Sequence, residues 1–246
     1  MTASRVLVLS DLHLRAGGGT VRGVDTRAGL AATLAHARAT GRFDRVVLLG
    51  DVAEDGRPES YRQARELLDD WADDALVLAG NHDRPDAMRE HLPAGAEGFV
   101  VDEGGWRLIG VHTWWRNRIA GRLGASGLAF IEAALAGTSG PALVFIHHPP
   151  VTVGTSWLDF SRLSDGKALG ALLAKSGRTR AVIHGHVHMP SEGTLAGARV
   201  LGMPSTAFQF VPGSLLPMRG AAIPGYRVLE LGERLETHVV YVGGRP

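Results

Sequence analysis

An α/β fold built on parallel strands is predicted by three features of the chain. Short apolar runs alternate with helical patterns, each run ends in a loop signal, and the C-terminal third changes character. The runs at 6–9, 46–49, 76–79, 143–146 and 181–183 are β-branched or leucine-rich, as buried strands are. Between the first two, Leu30, Leu34 and Ala37 recur at helical spacing behind Thr26, which reads as an N-cap. Between the second and third, Tyr61, Ala64, Leu68 and Trp71 do the same behind Pro58, which suits a first helical turn. Strands are also expected at 199–203, 226–231 and 236–242, joined by Gly/Pro-rich loops, so a second sheet region, partly antiparallel, is predicted there. No repeat, low-complexity stretch or linker divides the chain, and residues 1–246 are read as a single domain.

Composition limits what this fold can do. Hydrophobic residues make up 45% of the 246, an ordinary globular share for one domain of this size. With 26 basic against 25 acidic side chains, the formal net charge is only +1, and no long block of one sign appears. Nothing here calls for a nucleic acid or a membrane surface as partner. Cysteine is absent, which excludes disulfides and thiolate metal sites. Any metal must be held by His, Asp, Glu or Asn. The apolar run near the N-terminus is too short for a signal-peptide core or a membrane span, and a cytoplasmic protein is expected.

The polar chemistry gathers where the predicted strands end. Ser10-Asp11-Leu12-His13 follows the first, Gly50-Asp51 the second and Gly80-Asn81-His82-Asp83 the third. His147-His148-Pro149-Pro150 follows the fourth, and His184-Gly185-His186-Val187-His188 the fifth. Seven of the 11 histidines fall in these segments, far more than scatter would give. Loops at the carboxyl ends of parallel strands converge on one crevice, so the five segments are expected to meet. Carboxylates mixed with imidazoles suit Mn, Fe or Zn rather than Ca. His36, His91, His112 and His238 lie outside the segments and read as surface or packing residues, and His184 as structural.

The ordered series Asp11-x-His13, Gly50-Asp51, Gly80-Asn81-His82-Asp83, His147 and Gly185-His186-x-His188 resembles the calcineurin-like metallophosphoesterase family. The resemblance implies a four-layer αββα sandwich, two mixed β-sheets flanked by helices, with two metal ions (divalent or mixed-valence) at the strand ends. Carried over residue by residue, it implies one ion on Asp11, His13, Asp51 and His188. The other sits on Asp51, Asn81, His147 and His186, with Asp51 shared and His148 standing behind the ligands. Two such ions can clamp an in-line displacement at phosphorus, and a water between them loses its proton near neutral pH to become the nucleophile. With Asp11 and Asp51 as the only carboxylates, two divalent ions and a hydroxide leave a net charge of about +1, suited to a phosphodiester monoanion. His82 holds no metal in this scheme. It is read as the general acid for the leaving alkoxide, with Asp83 fixing its tautomer. Asn81, His82 and His188 are the residues expected to meet the substrate.

A narrower resemblance concerns substrate. Ser156-Trp157-Leu158-Asp159, Pro204-Ser205-Thr206 with Gln209-Phe210, and Pro224-Gly225-Tyr226-Arg227 resemble bacterial class III cyclic-nucleotide phosphodiesterases, the 3′,5′-cAMP group. The residues at 23–26 and 53–61 fit it too. This implies hydrolysis of cAMP to 5′-AMP. The chain departs from that group at His112-Thr113, where the usual pair is Asp-Ser, and in the following Trp114-Trp115-Arg116-Asn117-Arg118. Two readings of this loop stay open: a cap bringing arginines to the phosphate and indoles to the base, or a solvated basic loop with packed indoles. Two other functions are weighed. Action on other phosphodiesters, such as glycerophosphodiesters or 2′,3′-cyclic nucleotides, is separable by product analysis. A scaffold without catalysis would be marked by lost ligands, and every ligand position is filled here. The oligomeric state is left open, a dimer included.

Overall fold

In the computed structural model, which describes residues 3–244, two mixed sheets lie face to face with helices on their outer sides. The first sheet has the order β11-β10-β1-β2-β3. Here β1 is Ser4–Leu9, β2 Arg45–Leu49, β3 Leu76–Leu78, β10 Gly225–Leu231 and β11 Leu235–Tyr241. The first three run parallel, and β10 pairs antiparallel with both β1 and β11. The second sheet has the order β4-β5-β6-β7-β9-β8. Its strands are β4 Gly98–Glu103, β5 Trp106–Val111, β6 Ala142–Ile146, β7 Thr179–His184, β8 Glu192–Leu195 and β9 Ala198–Gly202. Strands β5, β6, β7 and β9 are parallel, with antiparallel hairpin partners at both edges.

Period-two alternation along the strands builds the layers. In β1, Val6 and Val8 face the second sheet and pack with Leu108, Leu143, Phe145 and Ile183. Leu7 and Leu9 point the other way, onto Leu30 and Leu34 of α1 (Thr26–Ala39) and Tyr61, Ala64 and Leu68 of α2 (Pro58–Leu68). In the second sheet, Val144 and Ile146 face outward to Ile131 and Leu135 of a helix at Gly124–Ala136 and to Leu169 and Leu173 of one at Gly166–Ser176. Runs apolar on both faces are what strands covered on both sides require. The sandwich implied by the resemblance is therefore the observed fold. Among the described residues no helix is long and apolar enough to cross a membrane.

Three expectations are corrected in detail. The C-terminal strands do not form a sheet of their own. Strand β9 extends the second sheet, while β10 and β11 close the first. The five ligand-bearing strands accordingly belong to two sheets, β1 to β3 in one and β6 and β7 in the other, whose carboxyl ends open on the same edge. The cap of α1 is Asp25, whose carboxylate accepts from Ala28 N at 3.0 Å. Thr26 is the first helical residue, and its hydroxyl donates to the His13 carbonyl instead.

Candidate metal centre

The loops after β1, β2 and β7 hold their polar residues in an unusual backbone conformation. Asp11, His13, Asp51, His186 and His188 all have positive φ, between +47° and +69°. For residues other than glycine this costs on the order of 1–3 kcal/mol each, and such strain gathers at functional sites. The loops hold one another in place: Asp11 N donates to Gly50 O at 3.0 Å, and His13 N to Asp51 O at 2.9 Å. The motif glycines serve close approach. A Cβ on Gly80 would run into the Asp51 carboxylate, and one on Gly185 into the Ser10 hydroxyl.

The first half of the centre gathers Asp11, His13 and His188, all buried. His13 Nδ1 lies 2.7 Å from a Glu54 carboxylate oxygen, and His188 Nδ1 lies 2.9 Å from the Phe208 carbonyl. Both partners are acceptors, so both rings carry their proton on Nδ1. The two Nε2 atoms then face each other at 3.0 Å with lone pairs only. A cation between them, also met by Asp11 Oδ1 at 3.3 Å from His188 Nε2, satisfies all three donors. Burial alone would raise the Asp11 carboxyl, but the neighbouring His188 and His147 rings outweigh it and hold it well below the usual range.

The second half is assembled from Asp51, Asn81, His147 and His186. His147 Nδ1 donates to Leu49 O at 2.8 Å, which turns its Nε2 toward Asp51 Oδ2, 3.3 Å away. His147 Nε2 and Asn81 Oδ1 are buried and have no hydrogen-bond partner. Orphaned buried polar atoms need a partner, and a metal ion supplies it. At His186 the tautomer follows from Ser161. The Ser161 hydroxyl donates to Leu158 O at 3.0 Å, so at the 2.9 Å contact with His186 Nε2 it accepts, leaving His186 Nδ1 as the free lone pair. Burial, aided by His147, pushes the His186 pKa down to about 3, keeping the ring neutral as a ligand must be. Asp51 lies 3.8 Å from His13 Nε2 and 3.3 Å from His147 Nε2, between the two halves. Burial raises its carboxyl, but His147 and His82 outweigh that and hold it well below the usual range.

The expectation for Asp83 is corrected. Its buried carboxylate accepts from the backbone N–H groups of Val52, Ala53 and Gly80 and from the Tyr61 hydroxyl. It organises the turn and makes no hydrogen bond to the His82 ring. Glu54 takes the place foreseen for it: its carbonyl lies 3.2 Å and its carboxylate 3.4 Å from His82 Nδ1. Burial works against charge on His82, yet Asp51 and Glu54, with a smaller contribution from Asp83 as expected, outweigh it and raise its pKa. Glu54 also brings a third carboxylate to the centre, which lowers the expected charge balance from about +1 to about zero.

Asn81, His82 and His188 all line a cleft of about 640 Å³ over the centre, as do Arg22 and Arg118. Neither arginine makes an ion pair with a carboxylate among the described residues, and both are available to a phosphate. The His148 ring stands beside His147 and His186, but both its nitrogens are taken by hydrogen bonds. Its Nδ1 accepts from Thr113 Oγ1 and its Nε2 donates to Ile119 O, both at 2.8 Å, so it pins the loop that carries Arg118. That loop lines the cleft through residues 117–120. Trp115 stacks with Arg118 and Arg122, while Trp114 packs on the core and lines not this cleft but a second one that also reaches Asn81 and His82. Elements of both open readings are thus present. His112 bridges Ala79 N and Gly95 O, and His36 meets the Tyr226 hydroxyl, both packing roles. Glu54, Ser161 and Arg22 are not singled out by the sequence as residues of the centre, whereas Arg118 lies in the loop that one of the open readings brings to the phosphate. Glu54 had one local signal, an acid three residues after Asp51.

Residues 4–190 match the calcineurin-like phosphoesterase family profile. The chain is 35% identical to a 3′,5′-cyclic adenosine monophosphate phosphodiesterase of Pseudomonas aeruginosa, over 96% of this chain and 90% of that protein. It is 31% identical to the Escherichia coli K12 protein of the same description, over 92% and 85%. To a probable cyclic nucleotide phosphodiesterase of a Synechococcus strain it is 33% identical, over 85% and 83%. Among solved structures, a dimetal phosphatase from Danio rerio superposes with a TM-score of 0.74 at 13% identity, covering 98% of this chain and 99% of that one. That likeness bears on the fold alone. This chain belongs to the calcineurin-like phosphoesterase family, and membership together with the two donor clusters implies two metal ions.

Proposed function

We propose that this family member is a 3′,5′-cyclic-nucleotide phosphodiesterase that converts cAMP to 5′-AMP with two ions drawn from Mn, Fe and Zn. The observation that carries the reading is the 35% identity, spread over nearly the whole chain, to a cAMP phosphodiesterase. The facing lone pairs of His13 and His188 and the unpartnered His147 Nε2 and Asn81 Oδ1 support the metal assignment. One ion is held by Asp11, His13, Asp51 and His188, and the other by Asp51, Asn81, His147 and His186. When bound, the ions supply Lewis-acid activation of water and neutralise charge on the phosphate.

The chain's own residues do the rest. Glu54, Leu49 O, Phe208 O and Ser161 fix the ring orientations of four histidines, so the site is preorganised. Arg22 and Arg118 line the cleft and meet the phosphate and its surroundings. His82, held at Nδ1 by Glu54, keeps a proton at Nε2 for the leaving group. A water that has given up one proton to solvent forms the new O–P bond, the P–O3′ bond breaks, the 3′ oxygen takes the His82 proton, and solvent returns a proton to His82. The product keeps its 5′ phosphate. The domain spans 1–246 and acts on a small molecule in the cytoplasm.

Chromatography of products formed by Mn-loaded protein tests this. The expected result is cAMP consumed and 5′-AMP formed, with cGMP and artificial diesters also turned over. If cAMP survives while glycerophosphodiesters or 2′,3′-cyclic nucleotides disappear, the enzyme is a phosphodiesterase of another specificity.

A further inference from the structure

Two clefts meet at Asn81 and His82, and their walls differ. One carries Trp157, Phe160, Phe208 and Phe210. The other, of about 990 Å³, carries Arg84, Arg116, Asp86 and Glu90 with a single indole, Trp114, and the two share Ile119. A neutral planar ring gains most from the first, aromatic cleft, because four aromatic side chains stand there against one in the other, whose charged wall would also have to lose water. Within the aromatic cleft, Phe208 and Phe210 are buried and pack against the His188 ring. They shape the site but offer little free face.

Phe160 is different. It is 88% exposed, yet it lines the cleft. Exposed apolar side chains are common and need no explanation by themselves. This one stands on a segment locked to the centre. The next residue, Ser161, holds His186 at 2.9 Å, and the preceding Asp159 accepts from Val153 N at 2.7 Å. Ile119 also lines the cleft and is 67% exposed, and its carbonyl accepts from His148 Nε2 at 2.8 Å. Ile119 is thus a free apolar side chain tied to His148 through its own carbonyl, and Phe160 one whose neighbour Ser161 is tied to His186.

We propose that Phe160 and Ile119 form the clamp that holds the nucleobase of the substrate, and so set specificity without touching the reacting phosphate. The proposal rests on the cyclic-nucleotide reading. A stacked base on such a platform is sequence-tolerant, since every base has a π-face, which fits a preference for cAMP without exclusion of cGMP.

The test compares cAMP with methyl p-nitrophenyl phosphate, a small diester without a base, and adds calorimetric binding of 5′-AMP. Phe160→Ala should raise the KM for cAMP roughly 5- to 100-fold, the range that loss of one stacking partner gives. Its kcat should stay within about twofold, and 5′-AMP binding should weaken in parallel. The KM for methyl p-nitrophenyl phosphate should move far less, and Phe160→Tyr should restore cAMP affinity. Ile119→Ala should shift the same quantities by a smaller factor. Unchanged KM and unchanged 5′-AMP binding in both alanine variants would overturn the clamp. Equal losses on both substrates would overturn it too, since Phe160 would then serve only the Ser161–His186 contact. A wild-type protein that cleaves the small diester but neither cleaves cAMP nor binds 5′-AMP would instead sink the cyclic-nucleotide reading, and the clamp with it.

Discussion

At the first half of the centre a carboxylate, Glu54, holds the His13 ring, whereas at the second half a hydroxyl, Ser161, and a backbone carbonyl, Leu49 O, hold His186 and His147. The proposed ligand sets differ in the same sense. Asp11 and the nearby Glu54 charge belong to the first half, while the second relies on the shared Asp51 and on neutral Asn81, His147 and His186. A cation is drawn more strongly where the formal negative charge is greater. A carboxylate partner also makes a bound imidazole more basic than a hydroxyl does. On the proposed ligand sets, the difference argues for one tightly held ion and one more exchangeable ion, the exchangeable one held by Asn81, while His82 stands against His13.

The severest way to break that contrast is to remove what the halves share. Asp51→Asn should release both ions and cost more turnover than the roughly 10²–10³-fold typical of one lost electrostatic contact. Elemental analysis and cAMP assays check it. A variant that keeps one equivalent of metal and full activity would show that Asp51 serves one half only.

His82→Ala probes the space between the halves without touching a ligand. Both ions should stay, and turnover of cAMP should fall on the order of 10²–10⁴-fold. With a p-nitrophenyl leaving group, which needs little protonation, the loss should be smaller. Equal losses on both substrates would leave His82 an electrostatic role and take proton transfer away from it.

Glu54→Gln sharpens the comparison directly. Removal of an outer partner of a metal-bound histidine costs about 10–100-fold in affinity. That loss should appear at one of the two ions, leaving a protein that titrates with one tight and one weak equivalent less distinct than in the wild type. If competition with a chelator shows both equivalents shifted alike, the halves are not oriented independently. Because Glu54 also faces His82, a fall in kcat beyond the metal effect is expected at saturating Mn.

How much of this was legible beforehand follows from the distance between partners in the chain. Asp11, His13, Asp51, Asn81, His147, His186 and His188 each sit in a short segment directly after a strand, and contiguous patterns of that kind survive in one dimension. Strands β6 and β7 could be read from their apolar runs, yet the assignment of β1 to β3 and of β6 and β7 to separate sheets could not. Pairing is a long-range choice that periodicity does not encode. The β4–β5 hairpin was passed over because β4 is a half-exposed edge strand, although Gly104-Gly105 at its turn was a fair signal. Asp83 was misread for a related reason. Adjacency to His82 in sequence suggested contact, but the turn points its carboxylate inward to three backbone N–H groups. Ser161 is 25 residues from His186 and carries no motif, so only the fold brings it forward.

Ser161 therefore supplies the smallest and most discriminating prediction. Its hydroxyl donates to Leu158 O, which forces it to accept from His186 Nε2 and leaves Nδ1 free for a metal. Ser161→Ala deletes that acceptor. The His186 ring then loses its preference for the Nε2–H tautomer, and part of the population presents a protonated Nδ1, which cannot ligate. A neutral hydroxyl contact is weaker than a charge-assisted one by roughly twofold in energy, so the effect should fall below that of Glu54→Gln. We expect metal affinity at the weaker site to drop by about three- to tenfold, at the low end of what outer partners contribute. Excess Mn should restore kcat, because the ligand itself is intact. Ser161→Cys, with a sulfur as a poor acceptor, should fall between wild type and alanine. A loss that excess metal fails to rescue would mean that Ser161 acts through the shape of the Phe160 lip rather than through the His186 tautomer.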